Sequence, residues 1–213
     1  MSPSPERFAA IVPIRSWTTG KSRLDLDDDT RESLGRAFAL DVVSALHDSP
    51  RIGVVVVVSS DAEVRATFAS CDAVDDRGRG LNDAVAQGCA HALARGWSRI
   101  VVAPSDLPCL TVAALDEVLA MSEGHIHTYC PDADGVGTSL VISHDPAALV
   151  TSYGRGSSSA HRSAGFVPLL GAPLEVRCDV DTLVHLREAQ GLGTGRHTSA
   201  VLAELSARST PPP

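Results

Sequence analysis

The sequence has few aromatic residues and no long apolar run. Phe, Trp and Tyr together make up 4% of its 213 residues, whereas hydrophobic residues of all kinds make up 44%. The core must therefore be built from Val, Ala and Leu, which favours α/β layers over an aromatic-rich β-sandwich. The longest apolar run, residues 53–58, is far too short to span a bilayer.

Paired cysteines and an excess of positive charge are also missing. The five cysteines contain no Cys-x-x-Cys pair, so neither a zinc knuckle nor a disulfide framework is indicated. No secretory signal pattern is visible, and we expect reduced thiols and a cytoplasmic location. The formal net charge of −8 argues against nucleic acid as a partner. Phosphorylated small molecules stay open as substrates, because local cations can supply a positive field.

Strand-like apolar runs alternate with amphipathic stretches through the first half of the chain. The predicted strands lie at 8–14, 52–59, 73–74 and 99–105, and the predicted helices at 30–49, 61–69, 81–95 and 111–122. This alternation predicts a three-layer α/β/α fold with a mostly parallel, Rossmann-like sheet.

The pattern changes after residue 122. We predict strands at 125–130, 138–143 and 175–180, helices at 182–190 and 197–207, and a binding loop or helix start at 152–161. No linker is long enough to divide the chain. We therefore expect one domain over 8–207, with a flexible leader at 1–7 and a flexible tail at 208–213.

Asp106 follows a buried strand and precedes Pro108, which stops it. In open α/β sheets ligands bind just beyond the carboxyl ends of the strands, so Asp106 is a candidate site residue. The alternative is that Asp106 caps the turn through Leu107 and Pro108.

Asp179 and Asp181 form a second acidic feature, one residue apart. Two carboxylates in this arrangement can reach one cation, and with Asp106 they could hold one or two Mg²⁺ ions against a triphosphate. The alternative is that Asp181 caps the 182–190 helix.

A basic loop at 15–23 follows the first predicted strand and contains Arg15, Lys21 and Arg23. Backbone N–H groups and cations in this position can hold phosphates. The loop matches neither the GxxxxGK[ST] nor the GxGxxG pattern, so a P-loop or Rossmann cofactor site is not indicated. The alternative is a solvated basic turn.

Two small-residue loops, at 135–138 and 154–159, allow backbone N–H groups to approach an anion closely. His161 and Arg162 follow the second loop and are expected to add positive charge. Loops of this kind are, however, often ordinary connections.

These motifs occur in a recognisable order along residues 8–192. They are Arg-x4-Gly-Lys-x-Arg-Leu at 15–24, Gly-Leu-Asn-Asp-Ala at 80–84, Ser-Asp-Leu-Pro at 105–108, Gly-Thr at 137–138, Tyr-Gly-x-x-Ser-Ser at 153–158 and Arg-Cys-Asp-Val-Asp-Thr at 177–182. The series resembles the CofC/FbiD guanylyltransferases of coenzyme F-420 biosynthesis, which are relatives of the MobA-like nucleotidyltransferases.

The resemblance implies a fold of the nucleotide-diphospho-sugar transferase (MobA-like) type and a reaction. A phosphate oxygen of a three-carbon phospho-acid attacks the α-phosphorus of GTP, and pyrophosphate leaves. Phosphoenolpyruvate is the expected acceptor, which gives enolpyruvyl-diphospho-guanosine; 2-phospho-L-lactate and 3-phosphoglycerate are the alternatives. Arg155 and Gly156 stand where the family motif has Pro and Asp, so the choice of acceptor stays open.

The resemblance also implies roles for individual residues. Asp106, Asp179 and Asp181 would bind two Mg²⁺ ions, and Asp106 and Lys21 would act directly in the reaction. The phospho-acid would be held by Thr138, Gly154 and Ser157 with His161 and Arg162, and the nucleotide by Arg15, Lys21, Arg23, Gly80 and Asn82.

Other functions remain open at this stage. The chain could be another MobA-like nucleotidyltransferase, a glycosyltransferase that uses the Asp-x-Asp at 179–181, or a nucleotide-binding module without catalysis. GTP and the phospho-acid are the expected partners, without nucleic acid or membrane. A transient hand-off of the product to the next transferase of the pathway is a conjecture from the family.

Overall fold

The structure is a computed structural model that describes residues 6–17 and 24–209. Its described strands form one seven-stranded sheet. The strands are β1 (Phe8–Pro13), β2 (Ile52–Ser59), β3 (Asp72–Asp75), β4 (Ile100–Val102), β5 (His127–Pro131), β6 (Thr138–Ser143) and β7 (Val167–Pro168).

The strand order is β3-β2-β1-β4-β6-β5-β7, and every strand runs in the same direction except β6. The predicted mostly parallel sheet is therefore confirmed. Because β6 is antiparallel, its first residue, Thr138, lies at the edge where the other strands end. We call this edge the carboxyl edge.

Strand β1 lies at the point where the chain changes direction across the sheet. Strands β2 and β3 extend to one side of it, and β4 pairs with its other side; Ile11 is opposite Val56 in β2 and Val102 in β4. Such a switch point opens a crevice at the carboxyl edge. The ends of β1 and β4 are therefore the expected position of a ligand.

Helices cover both faces of the sheet, as predicted. They are α1 (Asp28–Asp48), α2 (Ala62–Thr67), α3 (Leu81–Ala94), α4 (Val112–Met121), α5 (Ser157–Ser163), α6 (Leu183–Leu192) and α7 (Arg196–Ser209). None of the helices in the described ranges is both long and apolar enough to be a membrane span.

The two faces of β1 carry alternating small and branched residues. Ala10 and Val12 belong to the core that also contains residues of α1 and α4, while Ile11 belongs to the core under α3. Helix α3 approaches closely, because a Cβ at Gly88 would lie 2.5 Å from Ile11 Cγ2. Burial on both faces explains why the strand reads as a continuous apolar run.

The helices predicted to begin near Asp61 and Thr111 have these residues as their N-caps, whereas one predicted strand is wrong. Asp61 caps α2 and Thr111 caps α4. The segment predicted as a strand at 175–180 instead contains one turn of 3-10 helix, at Leu174–Val176. Its backbone bonds are local or irregular: the Cys178 N–H donates to the Leu174 carbonyl at 2.9 Å. The segment therefore has no ladder with a neighbouring strand.

Other boundaries differ in smaller ways. The strand predicted at 99–105 ends at Val102, and the short edge strand β7 was missed because it has only two residues. Helix α7 continues to Ser209, two residues into the segment predicted as a tail.

Candidate active site

A cleft opens at the carboxyl edge between the ends of β1 and β4. Its lining includes Arg15 and Trp17 after β1, Ser105 after β4, and Arg31 of α1. Arg15 is exposed, so its guanidinium is accessible to an anion in the cleft. Lys21 and Arg23 lie outside the described residues, and their roles stay predictions.

The three predicted metal ligands come from two segments that the fold joins. The Val180 N–H donates to the Asp106 carbonyl at 3.0 Å, which brings the stretch with Asp179 and Asp181 beside the end of β4. Burial, followed by the nearby carboxylates of Asp106, Asp132 and Asp181, raises the pKa of Asp179 to about 7. The structure thus gathers the predicted carboxylates.

Asp132 belongs to the same acidic group and was missed by the sequence interpretation. It lies in the Pro-Asp-Ala-Asp-Gly stretch that separates β5 from β6. The sequence did contain an indication, because Asp132 follows the end of the strand predicted at 125–130. No recognisable motif surrounds that strand end, so the residue was not selected.

The alternative role for Asp181 is wrong. Thr182, not Asp181, is the N-cap of α6, and its hydroxyl accepts a hydrogen bond from the His185 N–H at 3.3 Å. The backbone N–H of Asp181 lies 3.4 Å from the His185 Nδ1. Capping of this helix therefore does not require the Asp181 carboxylate.

The donor chemistry of this acidic group fits a hard divalent cation, because all its side-chain ligands are carboxylate oxygens. No three His, Cys, Asp or Glu side chains within residues 6–17 and 24–209 are arranged to bind one metal ion. Mg²⁺ commonly takes one or two protein carboxylates and completes its coordination with water and substrate phosphates. The expected Mg²⁺ stays a prediction.

The 132–137 loop, which leads into β6, is held by its own side chains. The carboxylate of Asp132 accepts two loop N–H groups, at 2.9 and 2.7 Å, and the Arg177 guanidinium donates to the Asp132 carbonyl at 2.9 Å. A Cβ on Gly137 would lie 2.2 Å from Asp132 Oδ2. The close approach therefore requires glycine, and it fixes the position of Thr138.

A second loop, 151–156, is fastened to the first turn of α3 by Asn82. The amide of Asn82 donates to the Tyr153 carbonyl at 2.9 Å. Its oxygen accepts the Tyr153 N–H at 2.8 Å and the Thr151 hydroxyl at 3.0 Å. Contact of Asn82 with a nucleotide stays a prediction, but the structure shows its side chain engaged with this loop.

The glycines in these motifs adopt backbone conformations that favour glycine. Gly80, at the start of α3, has φ of +105°, and Gly154 has φ of +135°. Gly80 supplies no side-chain cap, so the first N–H groups of α3 have no partner from that position. A helix end of this kind suits an anion, in line with the predicted nucleotide role of Gly80.

The residues predicted to hold the phospho-acid lie together. The Ser158 N–H donates to the Val136 carbonyl at 3.1 Å, which joins the 132–137 loop to the start of α5. Thr138 and Ser157 are both buried at this junction, and the Ser157 N–H donates to the Gly154 carbonyl at 3.1 Å. Their predicted binding role stays a prediction.

His161 occupies a different place from the predicted one. Its ring is fully buried, its Nδ1 lies 3.0 Å from the Thr138 hydroxyl oxygen, and its Nε2 accepts the Ser152 N–H at 2.9 Å. Burial lowers the pKa of His161, so the imidazole is neutral near pH 7. The expectation that His161 adds positive charge is therefore wrong, whereas Arg162 is exposed and its role stays a prediction.

Comparison with solved structures shows the same architecture. A protein from Desulfovibrio desulfuricans, provisionally assigned as a nucleotide-diphospho-sugar transferase, superposes with a TM-score of 0.72 over 97% of this chain and 96% of its own, at 18% identity. A Methanothermobacter nucleotidyl transferase superposes with a TM-score of 0.60 over 87% of this chain and 97% of its own, at 16% identity. At these identities the likeness establishes the fold, which is MobA-like as predicted.

Sequence comparison is more specific. The phosphoenolpyruvate guanylyltransferase of Streptomyces coelicolor is 38% identical over 206 residues, which cover 93% of this chain and 97% of that protein. The model of the family described as "Guanylyl transferase CofC like" matches residues 8–206. With the fold, the acidic carboxyl edge and the two fastened loops in place, this match over nearly the whole chain establishes that the protein belongs to the CofC-like guanylyl transferase family.

Proposed function

We propose that this enzyme transfers the guanylyl group of GTP to phosphoenolpyruvate and releases pyrophosphate, as a step of coenzyme F-420 biosynthesis. Family membership supports the guanylyl transfer, and the name of the Streptomyces coelicolor relative supports the acceptor. The structural observation that carries the proposal is that an acidic group lies at the same edge of the sheet as the 132–137 and 151–156 loops, both of which are held by side-chain hydrogen bonds.

The reaction needs positioning more than covalent help. A phosphate oxygen of the acceptor forms a bond to the α-phosphorus of GTP, the bond from that phosphorus to the bridging oxygen breaks, and the electron pair leaves with pyrophosphate. Because the acceptor oxygen is already anionic, no general base is needed. The protein must hold the two reactants in line and offset their mutual repulsion.

Cations around the cleft would offset that repulsion on the nucleotide side. Arg15 lines the cleft and would meet phosphate oxygens there, and Lys21 and Arg23 follow it in the same basic segment of the sequence. The uncapped start of α3 at Gly80 offers backbone N–H groups to the nucleotide.

Asp106, Asp179 and Asp181 would hold Mg²⁺, with Asp132 close enough to influence them electrostatically. When bound, Mg²⁺ supplies charge neutralisation of the phosphates. Asp179 binds a cation only as the carboxylate. Its pKa of about 7 means that the ion-free protein carries this group partly protonated near neutral pH.

On the acceptor side, Thr138, Gly154 and Ser157 would bind the phospho-acid, with Arg162 nearby. The buried junction between the 132–137 loop and α5 supports this placement, because its backbone groups are fixed before substrate arrives. A cytoplasmic location and a hand-off of the labile product to the next transferase belong to the same proposal.

The proposal is tested by pyrophosphate release from GTP and Mg²⁺ with phosphoenolpyruvate, 2-phospho-L-lactate and 3-phosphoglycerate offered in parallel. The transferase that consumes the product is included to draw the reaction forward. We expect release with phosphoenolpyruvate. Release with another of the acids would correct the acceptor, while GTP binding without any release would favour a binding module. Formation of a nucleoside diphosphate from a nucleotide-sugar would favour a glycosyltransferase.

A further inference from the structure

We propose that His161 is a positioning residue, held as the Nδ1–H tautomer, that aims the hydroxyl hydrogen of Thr138 at the phospho-acid and secures the 151–156 loop beside it. The proposal deepens the proposed function and rests on it, because it assigns an orienting group to the acceptor site.

The tautomer follows from the hydrogen bond that the ring accepts from Ser152; a backbone hydrogen bond to Ser157 also involves the ring. A backbone N–H can only donate, so the Nε2 that receives the Ser152 N–H at 2.9 Å must carry a lone pair. A neutral imidazole has one ring N–H, which is therefore on Nδ1. The Nδ1 lies 3.0 Å from the Thr138 hydroxyl oxygen, so this N–H donates to that oxygen.

The consequence falls on the Thr138 hydroxyl. Its oxygen is occupied as an acceptor, so its own hydrogen must be donated in another direction. Thr138 opens β6 and lies at the carboxyl edge, on the strand end nearest the two small-residue loops. A hydroxyl whose hydrogen is not used toward His161 suits a substrate that offers only acceptors, as the phosphate and carboxylate of a phospho-acid do.

The ring is held rigidly enough to impose this direction. Three aromatic side chains surround it, with ring centroids 5.1 Å away for Phe166, 5.5 Å for Tyr153 and 5.7 Å for Tyr129. The side chain has no exposed surface. The same ring therefore connects the start of β6 to the 151–156 loop, and each segment carries a residue predicted to bind the phospho-acid.

The alternative is a purely structural role, in which His161 is a core residue that only stabilises the fold. That role predicts lower thermal stability in variants, with no preference between the two substrates. The positioning role predicts instead a rise in the acceptor KM with little change in the GTP KM.

The first measurement is made on the unmodified protein and needs no activity. The ¹⁵N chemical shifts of the two ring nitrogens of His161, assigned with a His161→Gln variant, distinguish the two neutral tautomers and the cation. We expect a protonated Nδ1 and an unprotonated Nε2 at pH 7.5. A protonated Nε2 would overturn the proposal.

The second measurement is kinetic. Thr138→Val keeps the shape of the side chain but removes its hydroxyl, and His161→Phe keeps an aromatic ring but removes both hydrogen bonds. We expect each variant to raise the acceptor KM about tenfold with the GTP KM within about twofold, and the double variant to add little to either single one.

Conservative variants sharpen the result. Thr138→Ser retains the hydroxyl and should recover most of the acceptor KM that Thr138→Val loses. His161→Asn can still donate to the Thr138 oxygen but cannot reach the Ser152 N–H, and it should recover part of the loss. Equal effects on both substrates, or fully additive effects of Thr138→Val and His161→Phe, would contradict the proposal.

Failure of the proposed function would look different. If the wild-type protein were inactive with every phospho-acid, the orientation toward such an acid would be overturned together with the function, whatever the tautomer. If the wild type were active and only the tautomer or the KM pattern disagreed, the function would stand and the role of His161 would fall.

Discussion

The two halves of the carboxyl edge are built in different ways. On the β1 and β4 side, charged groups such as Arg15 and Asp106 lie in the segments that follow the strands and are exposed or half-buried. On the β5 and β6 side, polar groups are buried and linked by side-chain hydrogen bonds, as at Thr138 and His161. The difference corresponds to the expected ligands. A large charged nucleotide needs a positive electrostatic field and an open cleft, whereas a small acid needs a site of fixed shape.

The contrast also separates two kinds of contribution to catalysis. Changes on the charged side should alter turnover and nucleotide use. Changes on the hydrogen-bonded side should mainly alter use of the small acceptor. The following variants test that division, beginning with the largest expected effect.

Asp106→Asn removes a carboxylate charge at the centre of the charged side. We expect kcat to fall about 10³-fold, because charge neutralisation in the transition state is lost, while circular dichroism and the melting temperature change little. Asp48→Asn is the matched control, because Asp48 is exposed and lies at the C-terminal end of α1, away from the carboxyl edge. Near-wild-type turnover of Asp106→Asn would remove the metal assignment.

Asn82→Ala tests whether the first turn of α3 serves the nucleotide side or the phospho-acid side of the carboxyl edge. Loss of its three hydrogen bonds to the 151–156 loop should raise the acceptor KM about tenfold and the GTP KM much less. Asn82→Asp keeps the two hydrogen bonds that the side-chain oxygen accepts, and its acceptor KM should lie between those of the wild type and Asn82→Ala. A larger rise in the GTP KM would assign Asn82 to the nucleotide, as the sequence predicted.

Arg15→Ala should raise the GTP KM about fivefold, because an exposed cation contributes modestly to phosphate binding. The acceptor KM should stay within about twofold of the wild type. Arg95→Ala removes the same charge at the far end of α3 and should have no effect on either. Unchanged GTP kinetics in Arg15→Ala would show that the cleft at β1 is not the phosphate site.

Asp179→Asn should stabilise the protein in the absence of divalent cations. The folded pKa of about 7 lies above the ordinary value of 3.8, so the folded state binds more protons than the unfolded state between these pH values. The free energy of unfolding of the wild type therefore falls as the pH rises through this window.

Because Asn carries no charge, the variant avoids this loss. We expect a gain of about 1–2 kcal/mol at pH 8 and none below about pH 4, measured by urea unfolding in EDTA. Asp134→Asn, an exposed neighbour, is the control. Lower stability of Asp179→Asn at pH 8 would contradict the crowding of carboxylates around this site.

Strand positions and helix caps could largely be predicted from the sequence because they depend on local patterns. The Val-rich run of β2 and the Asp61 cap of α2 are examples. The 175–180 segment was mispredicted because its alternating apolar residues face a core built by distant parts of the chain. Only the fold shows that its backbone meets Asp106 instead of a neighbouring strand.

The acidic residues could be predicted from their positions at strand ends, but their mutual influence could not. Asp132 acts on Asp179 across a long sequence separation, and His161 looked like a surface cation because its burial depends on three separate aromatic residues. Burial and tautomer are properties of the packed structure, so no local pattern records them.

The central claim is that the α-phosphorus of GTP is transferred to a phospho-acid. It is tested most directly by parallel reactions with GTP labelled on the α-phosphate or on the γ-phosphate, each with phosphoenolpyruvate and Mg²⁺. We predict that the α-label appears in a nucleotide joined to the acid and the γ-label in pyrophosphate. Release of the γ-label as orthophosphate, or recovery of both labels in unchanged GTP, would contradict the account.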